Sequence, residues 1–201
     1  MTEEQVRRIF KNIPILHTER LMLRRMERSD ADDMYEYSRL PLTTQYLTWA
    51  PHPDRRYTAR YLSYLSGRYD DGEFYDWGVI LRCERKLIGT CGFTRFSAEN
   101  NSAECGYVLN PEYWGRGIAA EALTEVMRFG FSTLGLHRIE CRYMIGNDRS
   151  RRVMEKVGMR YEGTHRDALL LGREYKTIGV CAILADEFFG RTVNQRGYFS
   201  R

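Results

Sequence analysis

Tyr113-Trp114-Gly115-Arg116-Gly117-Ile118-Ala119-Ala120-Glu121-Ala122-Leu123 reads as a tight glycine turn running straight into a helix. Two glycines one residue apart let the backbone bend sharply and present bare N–H groups to an anion. The residues that follow are good helix formers, with apolar positions at Ile118, Leu123, Val126, Met127 and Leu134. A helix starting here aims its unpaired N–H groups and positive dipole end into the turn, an arrangement that can hold a diphosphate.

Two other phosphate motifs fail against this stretch. A Walker A loop ends in Gly-Lys-Ser or Gly-Lys-Thr, and neither tripeptide occurs in the chain. A dinucleotide fingerprint accepts Ala120 in place of its third glycine, but it also needs an acidic residue on a later strand. Here the turn lies mid-chain after a run of strand-like segments, and no further alternation of strands and helices follows.

Composition bounds the rest. The chain of 201 residues (23.7 kDa) suits one domain, and 43% hydrophobic residues suffice for a sizeable core. Apolar runs are far shorter than a membrane span, and the start Met1-Thr-Glu-Glu-Gln-Val-Arg-Arg lacks the apolar centre of a signal segment. A soluble, cytoplasmic protein with no membrane association is expected. The five cysteines (Cys83, Cys91, Cys105, Cys141 and Cys181) are odd in number and widely spaced, so they read as reduced thiols in apolar, strand-like settings. No His, Cys or Asp cluster has metal-ligand spacing, so no metal is implied. The net charge of +4, from 31 basic and 27 acidic residues, suits an acidic small ligand and argues against a dedicated nucleic-acid surface.

Along the chain, residues 1–15 read as a polar, loosely packed N-terminal arm, 16–189 as a single domain and 190–201 as a polar tail. Thr18–Met26 alternates as a strand, and Ser29 and Asp30 precede a short helix over Ala31–Ser38. Pro41 and Pro51-His52-Pro53 break the chain. Asp54 caps a helix reaching Gly67, with Tyr57, Tyr61, Tyr64 and Leu65 at helical spacing. From Phe74 the period becomes two, giving strands over Trp77–Cys83, Lys86–Arg95 and Ser102–Leu109. A helix over 117–134 stops at Gly135, a strand covers His137–Met144, and a helix over Asp148–Val157 stops at Gly158. Strands near 159–166 and 174–186 close the domain as a hairpin around Leu171-Gly172. The class is α+β, a mixed and mostly antiparallel central sheet of about seven strands flanked by about four helices.

Four local patterns stand out in this order: Thr18-Glu-Arg-Leu-Met-Leu-Arg24; Glu104-Cys-Gly-Tyr-Val-Leu-Asn-Pro-Glu-Tyr-Trp-Gly-Arg-Gly-Ile-Ala-Ala-Glu-Ala122; Asn147-Asp-Arg-Ser-Arg-Arg-Val-Met-Glu-Lys-Val-Gly-Met159; and Arg160-Tyr-Glu-Gly163. Together they resemble the GCN5-related N-acetyltransferase superfamily, and within it the branch containing the ribosomal-protein N-terminal acetyltransferases. The resemblance spans roughly residues 16–187.

It implies acetyl-CoA as co-substrate, its pyrophosphate held by backbone amides of Gly115, Arg116, Gly117, Ala119 and Ala120, with Trp114 and Ile118 beside them. The superfamily usually has Gln or Arg where Trp114 stands, but this branch commonly has Trp. Arg116 adds a cation able to pair with phosphate oxygens. The resemblance also implies that the fourth strand (Ser102–Leu109) splays from the fifth (His137–Met144). Tyr107, Val108 and Leu109 would then pair through their backbone with the pantetheine arm, as an added strand does. Asn147 is expected to bond the arm, or to act simply as a helix cap.

Acetyl transfer needs a neutral amine, a stabilised oxyanion and a proton for the departing thiolate. Many superfamily members supply that proton from a tyrosine seven residues beyond the motif asparagine, where this chain has Met154. In the ribosomal branch a serine three residues beyond serves instead, and Ser150 matches. Glu104 stands where some members place a base acting through water, with a structural role equally open. Asp167 and Glu174 are further carboxylate candidates, and His137 and His165 have suitable intrinsic pKa values.

The leading function is an N-acetyltransferase moving acetyl from acetyl-CoA to a primary amine, such as a protein N-terminal α-amine, by direct attack in a ternary complex. The alternatives are a small-molecule amine (polyamine, amino acid or drug) as acceptor, or a non-catalytic acyl-CoA-binding module. Tyr46, Trp49, Tyr57, Tyr61, Tyr64, Tyr69, Tyr75 and Trp77 suit an aromatic acceptor cleft or, equally, a homodimer contact.

Overall fold

The structure is a computed structural model describing residues 2–196, with side-chain surroundings given as far as Gly190. Its strands are β1 (Leu16–His17), β2 (Leu21–Arg24), β3 (Asp76–Leu81), β4 (Lys86–Ser97), β5 (Ser102–Leu109), β6 (Arg138–Met144), β7 (Arg160–Leu171) and β8 (Glu174–Leu184). Its helices are α1 (Glu3–Lys11), α2 (Ala31–Ser38), α3 (Pro41–Thr44), α4 (Arg55–Asp70), α5 (Ile118–Ser132), α6 (Asp148–Lys156) and α7 (Ala185–Arg196). The eight strands form one sheet in the order β1-β2-β3-β4-β5-β6-β8-β7. Only β5 and β6 run parallel, so the α+β class and the mostly antiparallel sheet are as the sequence leads one to expect.

Both faces of the sheet centre are covered, which is why β3 is buried at every position from Trp77 to Leu81. Trp77 packs on Phe129 of α5 at 5.5 Å and on Phe10 of α1 at 5.4 Å. At the next position, Gly78, the space a side chain would fill is occupied by Met26 and Leu87. Met26 is in turn held by α4, where the Tyr69 hydroxyl accepts its N–H at 3.3 Å. Alternation along the strand therefore assigns α1 and α5 to one face and α4, with α2 beside it, to the other.

The N-terminal segment is not a loose arm. Thr2 caps α1 through a capping box, and Phe10 is fully buried among Tyr75, Trp77, Phe93, Phe96 and Phe129 at 4.9–6.3 Å. Only Val6, Ile9 and Phe10 of this helix turn inward, so its average composition looks polar while one stripe is core. At the other end α7 runs from Ala185, with Phe188 against Phe131 at 5.2 Å. The segment read as a tail from residue 190 is therefore helical to Arg196, and residues 197–201 lie outside the described residues. Pro41 starts α3 rather than breaking the chain, its fixed φ and missing N–H being suited to a first helical turn. Cys83 is exposed, while the other four cysteines are buried thiols.

One irregularity positions the site. The β5–β6 ladder runs from Ser102↔Arg138 to Cys105↔Cys141 and then stops. Beyond it, Tyr107, Val108 and Leu109 stay paired with β4, and Arg142 to Met144 stay paired with β8. The two strands part here, leaving backbone edges that face a slot.

Candidate active site

The glycine turn has the geometry its composition demands. Gly115 and Gly117 have φ of 78° and 75°, the left-handed region that side chains resist. Gly117 is the N-cap of α5 and brings no side-chain partner to the first helical N–H groups. A Cβ at Gly115 would meet nothing, whereas one at Gly117 would lie 3.3 Å from Lys156 Nζ and 3.8 Å from Arg20 Nη2. The turn is thus ringed by three cations, Arg116, Arg20 and Lys156, of which sequence reading identified only Arg116.

Two of the sequence patterns prove to be one lock. Glu121 of α5 accepts from the Thr18 hydroxyl at 2.5 Å, from the Arg20 N–H at 3.0 Å and from Arg20 Nε at 2.6 Å. Arg20 Nη1 then donates to the Arg116 carbonyl at 2.9 Å. Trp114 braces the other side: its indole N–H donates to the Leu109 carbonyl at 2.8 Å, and the Arg149 guanidinium sits 4.6 Å over its ring. Arg116 itself lies over the Tyr113 ring at 5.1 Å.

Across the slot, Ser150 and Tyr107 meet. The Tyr107 hydroxyl donates to the Ser150 carbonyl at 2.9 Å and pairs with Ser150 Oγ at 2.8 Å. Burial pushes the Tyr107 phenol well above its usual range, so it stays neutral. Sequence reading gave Tyr107 a backbone role alone; nothing local signals a side-chain contact across 43 residues. The Asn147 side chain accepts the Ser150 N–H at 3.2 Å as the cap of α6, which is the simpler of its two expected roles. Tyr46 reaches over from the far wall to donate to the Gly146 carbonyl at 3.0 Å.

The slot opens into a cavity of about 990 Å³ that reaches Ser150, Asn147 and Tyr107 on one side and Trp49, Tyr57 and Tyr61 on the other. His52 sits among those three rings at 4.8–5.7 Å, with Nδ1 2.8 Å from the Thr58 hydroxyl. Burial lowers its pKa, so it is a neutral imidazole at neutral pH. Tyr64, by contrast, faces outward, and Leu65 and Tyr69 are core.

The carboxylates divide clearly. Glu104 lines the cavity, but Arg142 stands 3.3 Å from its Oε2 and joins it to Glu140. Asp167 and Glu174 are exposed and outside the cavity lining, Asp167 facing Thr177 and Glu174 paired with Lys176. Of the two histidines singled out by sequence, His165 lines the cavity and His137 does not. Asp76, at the start of β3, does line it, and sequence reading passed it over. Burial pushes its carboxyl up to about 7, against the Thr90 hydroxyl and the Trp77 N–H, which favour the charged form. Asp76 Oδ1, the Tyr37 hydroxyl and Ser38 Oγ are closed to solvent without a hydrogen-bond partner, three of five such atoms among the described residues. All three residues line this cavity. An unpartnered buried polar group costs about 1–3 kcal/mol, so their gathering on one wall sets that wall apart.

Residues 20–160 match the family model described as "Acetyltransferase (GNAT) domain". An uncharacterized N-acetyltransferase, p20, from Bacillus licheniformis is 34% identical over 152 residues, covering 76% of this chain and 85% of that protein. The [Ribosomal protein uS5]-alanine N-acetyltransferase of Escherichia coli is 28% identical, covering 80% of this chain and 86% of that protein. A crystal structure of a GNAT-family acetyltransferase from Bacillus anthracis superposes with a TM-score of 0.78 at 30% identity, over 87% of this chain and all of that one.

Proposed function

The chain belongs to the GNAT family and is an acetyltransferase, and from that premise we propose that it moves the acetyl group of acetyl-CoA to a protein N-terminal α-amine by direct attack in a ternary complex. The observation that carries the reading is the parted β5–β6 ladder opening on one cavity. A thioester lying along the slot would end where the cavity can admit an amine.

The residues present fit acetyl-CoA. The bare N–H groups from Gly115 to Ala120 point out of a left-handed turn, with Arg116, Arg20 and Lys156 around them as counter-charges for a pyrophosphate. The free edge at Tyr107, Val108 and Leu109 can pair with the amides of the pantetheine arm. Ser150 lies beside that path, and its hydroxyl, oriented by Tyr107, would hydrogen-bond the departing sulfur. Cys105 is the one cysteine on the cavity wall among the described residues, and burial holds it as a neutral thiol. That disfavours an acyl-enzyme and favours direct attack.

The α-amine is proposed because the uS5-alanine N-acetyltransferase of Escherichia coli is named for such an acceptor and aligns over most of both chains. Incubation with acetyl-CoA, a peptide panel with free or blocked N-termini, and a set of small amines tests it by mass spectrometry. Acetylation confined to free peptide N-termini supports the reading. Acetylation of small amines alone transfers the assignment to a small-molecule acceptor, and binding of acetyl-CoA without transfer to any amine leaves a binding module.

A further inference from the structure

Asp76 occupies a place in the sheet that its sequence neighbours do not reveal. It pairs in register with Gly92 on β4, and Gly92 pairs in register with Gly106 on β5. Cross-strand partners share one face, so this row carries a carboxylate followed by two bare backbone positions. A Cβ added at Gly92 would stand 2.7 Å from Asp76 Oδ1, so the carboxylate lies directly over that glycine. Gly106 directly follows Cys105, whose pairing with Cys141 is the last rung before the strands part. With strands about 4.8 Å apart, the row runs about 10 Å from Asp76 to the mouth of the slot. Neither of its other two positions carries a side chain of its own, and the Thr94 methyl stands 3.0 Å from where a Cβ on Gly106 would lie.

Among the described residues no cation forms an ion pair with Asp76; Arg7 and Arg68, which line a second cavity with it, are paired with Glu73. The groups that sense it are Tyr37 from α2, Tyr61 and Tyr69 from α4, Cys91 and Thr90 from β4, and Cys105 from β5. Burial raises every one of those phenols and thiols, Tyr61 to about 12, so all are neutral at neutral pH. A buried carboxylate is retained with a partner or loses its charge. Here Oδ1 and the Tyr37 hydroxyl both lack one. Glu104 differs, since Arg142 already neutralises it.

We propose that Asp76 is the acceptor-side carboxylate of this enzyme, pairing with the acceptor amine in its ammonium form on the cavity wall and taking its proton. The inference rests on the acetyltransferase reading given above. The step balances: the ammonium gives one proton to the carboxylate and becomes a neutral amine. The nitrogen lone pair then forms the C–N bond to the thioester carbonyl carbon, and the C–S bond breaks with its electron pair on sulfur. The second nitrogen proton passes to that thiolate, giving amide and thiol, and the Asp76 proton returns to water. The wall around Asp76 is aromatic and apolar at Tyr37, Tyr61, Met26 and Met34, so the fitting acceptor is a cationic amine on an apolar stem.

Two primary amines of nearly one shape test this. Phenethylamine is charged at neutral pH, and O-benzylhydroxylamine is not. Thiol release from acetyl-CoA is followed with each, for the native protein and Asp76→Asn, and thermal stabilisation by acetyl-CoA alone reports the fold and the coenzyme site. We expect Asp76→Asn to lose about 100-fold in kcat/KM on phenethylamine, and less than about threefold on O-benzylhydroxylamine. Stabilisation by acetyl-CoA should be unchanged. Equal losses on both amines, or none on either, overturn the proposal. If the native protein turns over neither, the pair is read by binding: phenethylamine must stabilise it more than O-benzylhydroxylamine, and Asp76→Asn must erase the difference. Equal or absent stabilisation of the native protein by the two overturns the Asp76 assignment. Failure of acetyl-CoA to stabilise the native protein instead overturns the acetyltransferase reading.

Discussion

Around the glycine turn, polar side chains have partners: Glu121 holds Thr18 and Arg20, Arg20 holds the Arg116 carbonyl, Asn147 caps α6 and Ser150 meets Tyr107. On the opposite wall of the cavity, Asp76, Tyr37 and Ser38 each carry a buried polar atom with none. The first region is finished in the free protein and presents backbone N–H groups to a ligand of fixed shape. The second is apolar, aromatic and electrostatically incomplete. A site for a universal coenzyme can be locked in advance, whereas an acceptor site that keeps unpaired groups stores a preference for whatever pairs them. That storage lowers stability until the ligand arrives.

This contrast can be broken at its most strained point. Asp76 is protonated in the folded protein up to about pH 7 but ionised in the unfolded chain above its ordinary value of 3.8. The folded state therefore binds more protons in that window, and stability falls as pH rises from about 4 to about 7. Asp76→Asn should be more stable than the native protein by about 2–4 kcal/mol above pH 8, and the gain should vanish near pH 4. Urea unfolding across that range checks it; a pH-independent difference would mean the carboxylate is satisfied after all.

In the coenzyme half, Gly117→Val forces a β-branched residue into φ of 75° beside Lys156 and Arg20. The KM for acetyl-CoA should rise about 100-fold while the acceptor KM holds. Parallel changes in both would tie the two halves together. Ser150→Ala should lower kcat about 10- to 100-fold with little change in acetyl-CoA binding, because its hydrogen bond strengthens as sulfur gains charge. An unchanged kcat removes Ser150 from the chemistry. The smallest effect is expected at Trp49→Ala, which trims the aromatic wall and should raise the acceptor KM about tenfold, leaving acetyl-CoA untouched.

Legibility in the sequence follows the same division. The glycine turn and the α6 cap were readable because each rests on backbone rules that act within a few residues. Arg20 and Lys156 were not assigned to the turn, since they reach it from 96 residues before Arg116 and from the far end of α6. Phe10 was missed for a related reason: its helix is short and charged, and only the tertiary fold shows that one face meets five aromatic rings. The crowding of Tyr and Trp between residues 46 and 77 was visible but ambiguous. Packing sorted it, sending Tyr69 and Trp77 to the core, Trp49, Tyr57 and Tyr61 to the cavity, and Tyr64 to the surface.

Sequence by itself determined the α+β class, the mid-chain glycine turn with its helix, and the spacing of Asn147 and Ser150, because local backbone preference is written in consecutive residues. Only the tertiary structure decided that Glu104 is paired with Arg142, that Tyr107 reaches Ser150, and that Asp76 has a carboxylate oxygen closed to solvent with no ion pair among the described residues. Charge pairing and desolvation depend on which distant segments meet, and pairing of β3 with β4 and of β4 with β5 is what laid Asp76 over Gly92, in register with Gly106 beside the slot.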